Sequence, residues 1–225
     1  MAERVAVFDV MGTLFDLSSL EARLTGTGAP PGTLGTWFAR LLHGATSLTL
    51  AGEFRPFPDL AAASLRSTLA RAGVDPRRAD EVLPGLAELD PFPEAHEALA
   101  LLRARGVVTV ALTNGSAANT GTLLRRSGLD AYVGTVVTTE DAGAYKPHPA
   151  PYRLALDRLG VPGPRATMVA AHAWDVVGAR GAGIDAVWID RGERLWPLPV
   201  PPVRAAGDLL QAARLVVDGA TTATP

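Results

Sequence analysis

The sequence predicts an α/β fold: a parallel-sheet core covered by helices on both faces, with a helical cap inserted after the first strand. Three observations carry that expectation. Short apolar runs bounded by turn residues recur as buried strands, helical patterns alternate with the later ones, and one oversized connection separates the first strand from the second.

The strands are expected at Val5–Asp9, Val107–Thr113, Val133–Thr138, Thr167–Ala171 and Ala186–Asp190. Between them, Glu94–Arg105, Ala117–Ser127, Pro149–Leu159 and Trp174–Ala182 carry helical spacing. Such strand–helix alternation argues for βαβ units. Roughly 95–100 residues lie between the first two strands, far more than a crossover helix needs. That stretch has helical patterns of its own near Leu17–Thr25, Leu34–His43, Pro58–Ala72 and Pro76–Leu86. The expected organisation is a core of residues 1–13 and 91–218, a cap of 14–90 and a flexible tail of 219–225. Gly26–Thr33 and Leu89–Pro93 are the turn-rich stretches about which the cap could move.

A chain of 225 residues, 48% apolar and 20% charged with a formal charge of −2, can bury a substantial core. The near-neutral balance offers no footprint for nucleic acid or an anionic membrane. No apolar stretch approaches the ~18 residues of a membrane span. There is no cysteine, so disulfides and thiol nucleophiles are excluded. No basic segment followed by an apolar stretch marks the start, so the expected location is cytoplasmic. Of 21 basic residues a single one, Lys146, is lysine. One lysine among so many arginines hints at a need for a compact ammonium, a weak signal by itself.

In open parallel sheets the chemistry gathers at the carboxyl ends of the strands. Here those ends supply Asp9, then Thr113-Asn114-Gly115-Ser116, then Lys146, then Asp175. Each has a plainer role available, as a helix cap, a turn residue or a solvated charge. Two acids, an amide, hydroxyls and the only lysine on one sheet edge make that joint coincidence improbable. Desolvation at a strand end can turn a carboxylate into a nucleophile, and an ammonium between two carboxylates keeps them ionised. Thr13 and the backbone N–H groups after Asp9 are expected to hold its carboxylate. The loop Thr113–Ser116 precedes a helix and suits a substrate carboxylate or phosphate.

The order Asp9-x-Met11-Gly12-Thr13, Thr113-Asn114-Gly115-Ser116, Lys146-Pro147-His148-Pro149 and Trp174-Asp175-x-x-Gly178-Ala179 resembles the haloacid dehalogenase superfamily over nearly the whole chain. The resemblance implies a Rossmann-like core, a cap after the first strand and Asp9 as a nucleophile forming a covalent intermediate. Phosphatases of that superfamily carry a second acid at the Met11 position and commonly another at Ala171, and use Mg²⁺. Met11 donates no proton, and Asp9 and Asp175 alone are a poor set for a hard cation. The 2-haloacid dehalogenases of the superfamily lack the second acid and need no metal. They are similar also in Thr-Leu-Phe-Asp after the glycine, in Lys146-Pro-x-Pro-x-x-Tyr152 and in Ala173-Trp174-Asp175.

The resemblance therefore implies a metal-independent, cofactor-free hydrolase of small 2-haloacids. Asp9, Thr13, Lys146 and Asp175 would be catalytic, with Asp175 activating water. Met11, Thr113, Asn114, Gly115, Ser116, Tyr152, His172, Arg40 and Trp37 would meet the substrate. Dehalogenases of this kind cradle the halide with an Arg just after a Trp in the cap; here Trp37 precedes Phe38, and Arg40 or Arg55 is the candidate. His172 stands where an Asn is usual and reads either as a buried histidine or as a donor to halide or water. The expected partner is a small carboxylate substrate, with a homodimer as the assembly considered. A Mg²⁺ phosphatase and a non-catalytic binding protein are the alternatives.

Overall fold

Val5 and Val7 face one apolar layer while Ala6 and Phe8 face the other, so the first strand is buried on both sides. The computed structural model describes residues 4–200 and 204–219. Its six strands are β1 (Arg4–Phe8), β2 (Val107–Thr113), β3 (Val133–Thr138), β4 (Ala166–Ala170), β5 (Asp185–Ile189) and β6 (Ala205–Ala206). They pair in parallel in the order β3-β2-β1-β4-β5-β6. After β3 the chain crosses to the far side of β1, so the strand order reverses between β1 and β4. A crevice opens at such a switch point, outside the carboxyl ends of the strands.

Between β1 and β2 lie α1 (Ser18–Gly26), α2 (Thr33–Leu50), α3 (Phe57–Arg71) and α4 (Ala79–Val82). The core helices follow: α5 (Ala95–Ala104), α6 (Ala117–Ser127), α7 (Thr139–Ala142), α8 (Pro149–Leu159), α9 (Ala173–Gly181) and α10 (Leu209–Asp218). Leu99, Leu102, Leu124 and Val216 of α5, α6 and α10 cover the face of Ala6 and Phe8. Tyr152, Ala155, Val176 and Ala179 of α8 and α9 cover the opposite face. At ~25 cal/mol per Å² of apolar surface, these two layers are the main stabilising term.

Four details differ from the sequence reading. The expected helix Leu34–His43 continues to Leu50, because Ala45 is buried and Gly44 lets α2 approach α3: a Cβ there would meet Leu60 Cδ1 at 3.1 Å. Pro76–Leu86 is broken into two 3₁₀ turns flanking α4, since Pro84 lacks the N–H a continuous helix needs. Asp9 follows β1 instead of ending it, and the strand β6 and helix α10 were not anticipated. The tail expected to be flexible lies, from residue 220 on, outside the described residues.

Candidate active site

Three strand or helix ends bring the central charges together. Asp9 directly follows β1, Lys146 lies between α7 and α8, and Asp175 sits in the first turn of α9. Lys146 Nζ donates to Asp9 Oδ1 at 2.9 Å, to Asp175 Oδ2 at 2.6 Å and to the Leu112 carbonyl at 2.8 Å. Its three donors thus meet three oxygens, and its side chain is wholly buried. Asp9 Oδ2 accepts from Thr13 Oγ1 at 2.7 Å, and Thr13 Oγ1 accepts from the Ala171 N–H at 3.0 Å. Tyr152 donates its hydroxyl to Asp175 Oδ1 at 2.5 Å. Asn114 Oδ1 accepts the Lys146 N–H at 3.0 Å, fixing the backbone that carries the ammonium.

One ammonium serves two buried carboxylates, and their titrations diverge. Burial alone would lift Asp9, but Lys146, with His172 and Thr13, holds its carboxyl below the usual value. Burial, reinforced by the Asp9 charge, lifts the Asp175 carboxyl above it in spite of Lys146. Burial would lower Lys146; Asp175 and Asp9 more than offset that and raise it.

Above Asp9 lies a pocket with room for about one water. The core contributes Asp9, Met11, Asn114, His172 and Trp174; α2 contributes Phe38, Leu41 and Leu42, and α3 contributes Phe57. Apart from Asp9, Asn114 and His172 the lining is apolar. His172 packs between Trp174, stacked at 5.2 Å, and Phe38 at 5.4 Å. Its Nε2 lies 3.0 Å from the Met11 carbonyl and 3.7 Å from Asp9 Oδ2. A carbonyl can only accept, so Nε2 carries a proton.

The other expected residues fall in different places. Tyr152 supports Asp175 and does not line the pocket. Asp175 is fully buried behind Lys146, with both oxygens hydrogen-bonded. Thr113 Oγ1 accepts the Gly115 N–H at 2.9 Å, and Ser116 Oγ caps α6 through the Asn119 N–H at 3.3 Å, so both hydroxyls shape their own loop. Among the N–H groups after Asp9, those of Gly12 and Leu14 bond within the loop, to Phe15 and Val10 carbonyls at 2.8 and 2.9 Å. Side chains, not those amides, hold the carboxylate. Trp37 of α2 is buried against α3 and donates Nε1–H to Ser64 Oγ at 3.0 Å. Arg40 reaches Ser67 Oγ at 2.8 Å, away from the pocket, because two positions on from a pocket-facing residue lies ~200° around a helix. Arg55 is surface-exposed and pairs with Glu53 at 3.1 Å. Helix α2 instead contributes Phe38, Leu41 and Leu42 and α3 contributes Phe57, which sequence reasoning missed; the only signal was the apolar stripe of α2 itself. Trp174, which entered the sequence reading as part of a motif, lines the pocket.

Position 171 is alanine, and among the described residues no three His, Asp or Glu side chains are grouped to hold a metal ion. No described helix is long and apolar enough to cross a membrane.

Residues 3–183 match the family model of haloacid dehalogenase-like hydrolases. The chain is 31% identical over 190 residues to haloacetate dehalogenase H-2 of Moraxella sp. (strain B), covering 82% of this chain and 84% of that one. It is 32% identical over 192 residues to (S)-2-haloacid dehalogenase 4A of Burkholderia cepacia, covering 84% and 83%. Among solved structures, the L-2-haloacid dehalogenase RSc1362 superposes with a TM-score of 0.89 at 29% identity, covering 96% of this chain and 99% of that one.

Proposed function

The chain belongs to the haloacid dehalogenase-like hydrolases, and from that premise we propose that it hydrolyses small 2-haloacids at Asp9 without a metal ion. One observation carries the reading: the nucleophile's pocket is apolar but for Asp9, Asn114 and His172, and holds Met11 where a leaving-group acid would stand. Displacement of halide needs no such acid, because halide departs as an anion.

Asp9 is held ionised and largely dehydrated, 6% exposed in its side chain, so it meets carbon as a nucleophile instead of as a solvated ion. The Asn114 amide nitrogen, left over once Oδ1 has bonded Lys146, and the start of α6 receive the substrate carboxylate. An Asp9 oxygen attacks C2 from the side opposite the halogen. The C–O bond forms as the carbon–halogen bond breaks, and the halide leaves with its electron pair. Phe38, Trp174 and the His172 ring border the space into which it departs.

Water then attacks the Asp9 ester carbonyl. His172 Nε2 already carries a proton, so Asp175, made more basic by burial, takes the proton of the water. Esterification removes the Asp9 charge and with it half of the hold on Lys146, which frees the ammonium to move with Asp175 and admit water. Collapse expels the alkoxide of a 2-hydroxy acid of inverted configuration, which takes the proton held by Asp175. The second proton of the water leaves the Asp9 carboxyl for solvent, and Asp9, now containing the water oxygen, is a carboxylate again.

The test is halide release from a panel of 2-haloacids, haloacetate included, with chelator present. Release under those conditions is the expected result. Turnover of p-nitrophenyl phosphate only with Mg²⁺ would replace this reading with the phosphatase. A cytoplasmic setting and a homodimer belong to the same proposal, the latter checked by sedimentation.

A further inference from the structure

The loop that carries Lys146 is also where the cap is fastened to the core. Tyr145, the residue before the lysine, is 1% exposed. Its N–H donates to Thr49 Oγ1 at 3.0 Å, and its hydroxyl donates to the Arg55 carbonyl at 2.8 Å. Its ring stacks on Phe54 with centroids 5.1 Å apart and planes 28° from parallel. Thr49 lies in the last turn of α2, and Phe54 and Arg55 lie in the link from α2 to α3. Every one of these partners therefore belongs to the cap.

The same two helices roof the pocket, with Phe38 and Leu41 on α2 and Phe57 two residues beyond Arg55. That pocket has room for about one water, and even the smallest 2-haloacid is several times larger. Substrate therefore enters with the roof displaced, and lifting the roof breaks the Tyr145 contacts. Consecutive N–H groups are held from opposite sides: that of Tyr145 by the cap, that of Lys146 by Asn114 of the core.

We propose that Tyr145 is a latch and a positioning residue: closing the cap seats Thr49, Phe54 and Arg55 on it, and this sets the adjacent Lys146 between Asp9 and Asp175. The inference rests on the proposed reaction for its kinetic consequence but not for its geometry. Burying one face of an aromatic ring gives the closed state its bias, while the two hydrogen bonds give it a direction. An open cap would leave Lys146 with a less constrained backbone, so attack by Asp9 waits for closure.

Two variants of the full chain test this. Tyr145→Phe keeps the ring and loses only the bond to Arg55; Thr49→Val keeps the shape and loses only the acceptor for the Tyr145 N–H. Amide hydrogen exchange, followed by mass spectrometry without substrate, should rise roughly threefold to tenfold across residues 33–57, the equilibrium worth of one hydrogen bond. Exchange in β1, β2 and β4 should stay at the wild-type rate. In halide-release assays kcat should fall by a similar factor with KM little changed. Unchanged exchange in both variants would overturn the latch. So would exchange raised equally in the strands, which reports general destabilisation, or a normal kcat with a loosened cap, which breaks the link to Lys146. A wild-type chain that releases no halide overturns the reaction instead, and the exchange result then decides the latch alone.

Discussion

Asp175 Oδ2 lies 2.6 Å from Lys146 Nζ, nearer than Asp9 Oδ1 at 2.9 Å, and the nearer carboxylate is the one that solvent does not reach. The ammonium is therefore shared unequally. It is held most tightly by the carboxylate away from the pocket, which leaves Asp9 ionised and lining the pocket. With two carboxylates to one ammonium, the buried cluster carries a net negative charge and has one easily protonated member.

That inequality predicts a split in pH dependence. Asp9 sits below its ordinary value of 3.8, and Asp175 sits above it. As pH falls, Asp175 protonates first and ester hydrolysis stops, while Asp9 stays ionised and still displaces halide. At a pH between the lowered value of Asp9 and the raised value of Asp175 the enzyme should release a burst of about one halide per site and stall as the covalent ester. Rapid-quench halide assay and intact mass measure both. An acid limb common to the burst and to steady turnover would remove the assignment. The stability signs oppose as well. The depressed Asp9 stabilises above its unfolded value and loses that contribution as pH falls through its folded value. The raised Asp175 favours the fold at low pH and loses that contribution as pH rises through its folded value.

Asp9→Asn should abolish halide release while leaving the circular dichroism spectrum native, since the amide keeps the shape but not the nucleophile. Wild-type rates without deamidation by mass would show that another group attacks carbon.

Replacement of Lys146 by arginine should remove most turnover. A planar guanidinium cannot place three donors on the Asp9, Asp175 and Leu112 oxygens that now surround one nitrogen. Lys146→Met should also cost about 3–5 kcal/mol in urea unfolding, because two buried carboxylates lose their counter-ion. Near-normal rates in the arginine variant would place the lysine outside the chemistry.

Gly178 has no room for a side chain. A Cβ there would lie 2.5 Å from Tyr152 Oη and 2.7 Å from Pro147 Cβ, so α9 rests directly on the residues that hold Asp175 and follow Lys146. Gly178→Ala should cost about 1–3 kcal/mol and depress turnover through displaced Asp175. Gly181→Ala on the same helix meets nothing within 4 Å and should be neutral or stabilising by up to about 1 kcal/mol. Equal effects of the two in thermal melts and assays would show that the close approach does not matter.

Met11→Asp would set a carboxylate beside Asp9 and hydrate the pocket, and dehalogenation should be lost. The change supplies the missing proton donor, yet Ala171 still offers no ligand, so at most a trace of Mg²⁺-dependent phosphatase activity should appear. Met11→Asp combined with Ala171→Asp should gain more of it than either alone. Undiminished dehalogenation in Met11→Asp would strip the methionine of this meaning.

The strands and the charged centre were legible because both rest on local or ordered signals. Apolar runs mark a sheet covered on both faces, and strand ends gather Asp9, Asn114, Lys146 and Asp175 whatever the loops do. The pocket's roof was not legible. Trp37, Leu41 and Ala45 form one apolar stripe of α2 and Phe38 and Leu42 its neighbour, and nothing local says that Phe38 and Leu42, with Leu41 from the edge of the first stripe, turn to the site. For the same reason Arg40 could be named but not aimed. Helix α10 did have a local signal, Asp208 capping the Gln211 N–H at 2.7 Å, but a two-residue β6 before it gave too short a run to notice.

The solitude of Lys146 has a practical side. It is the chain's only lysine, and its side chain is shielded completely from solvent. Amine-selective reagents therefore find no lysine on the folded surface, where the cations are arginines. Modification of Lys146 by such a reagent proceeds only when the charged centre is uncovered. The rate at which a small acylating probe marks that one nitrogen is then a clock for opening, readable from a single tryptic peptide and needing no engineered label.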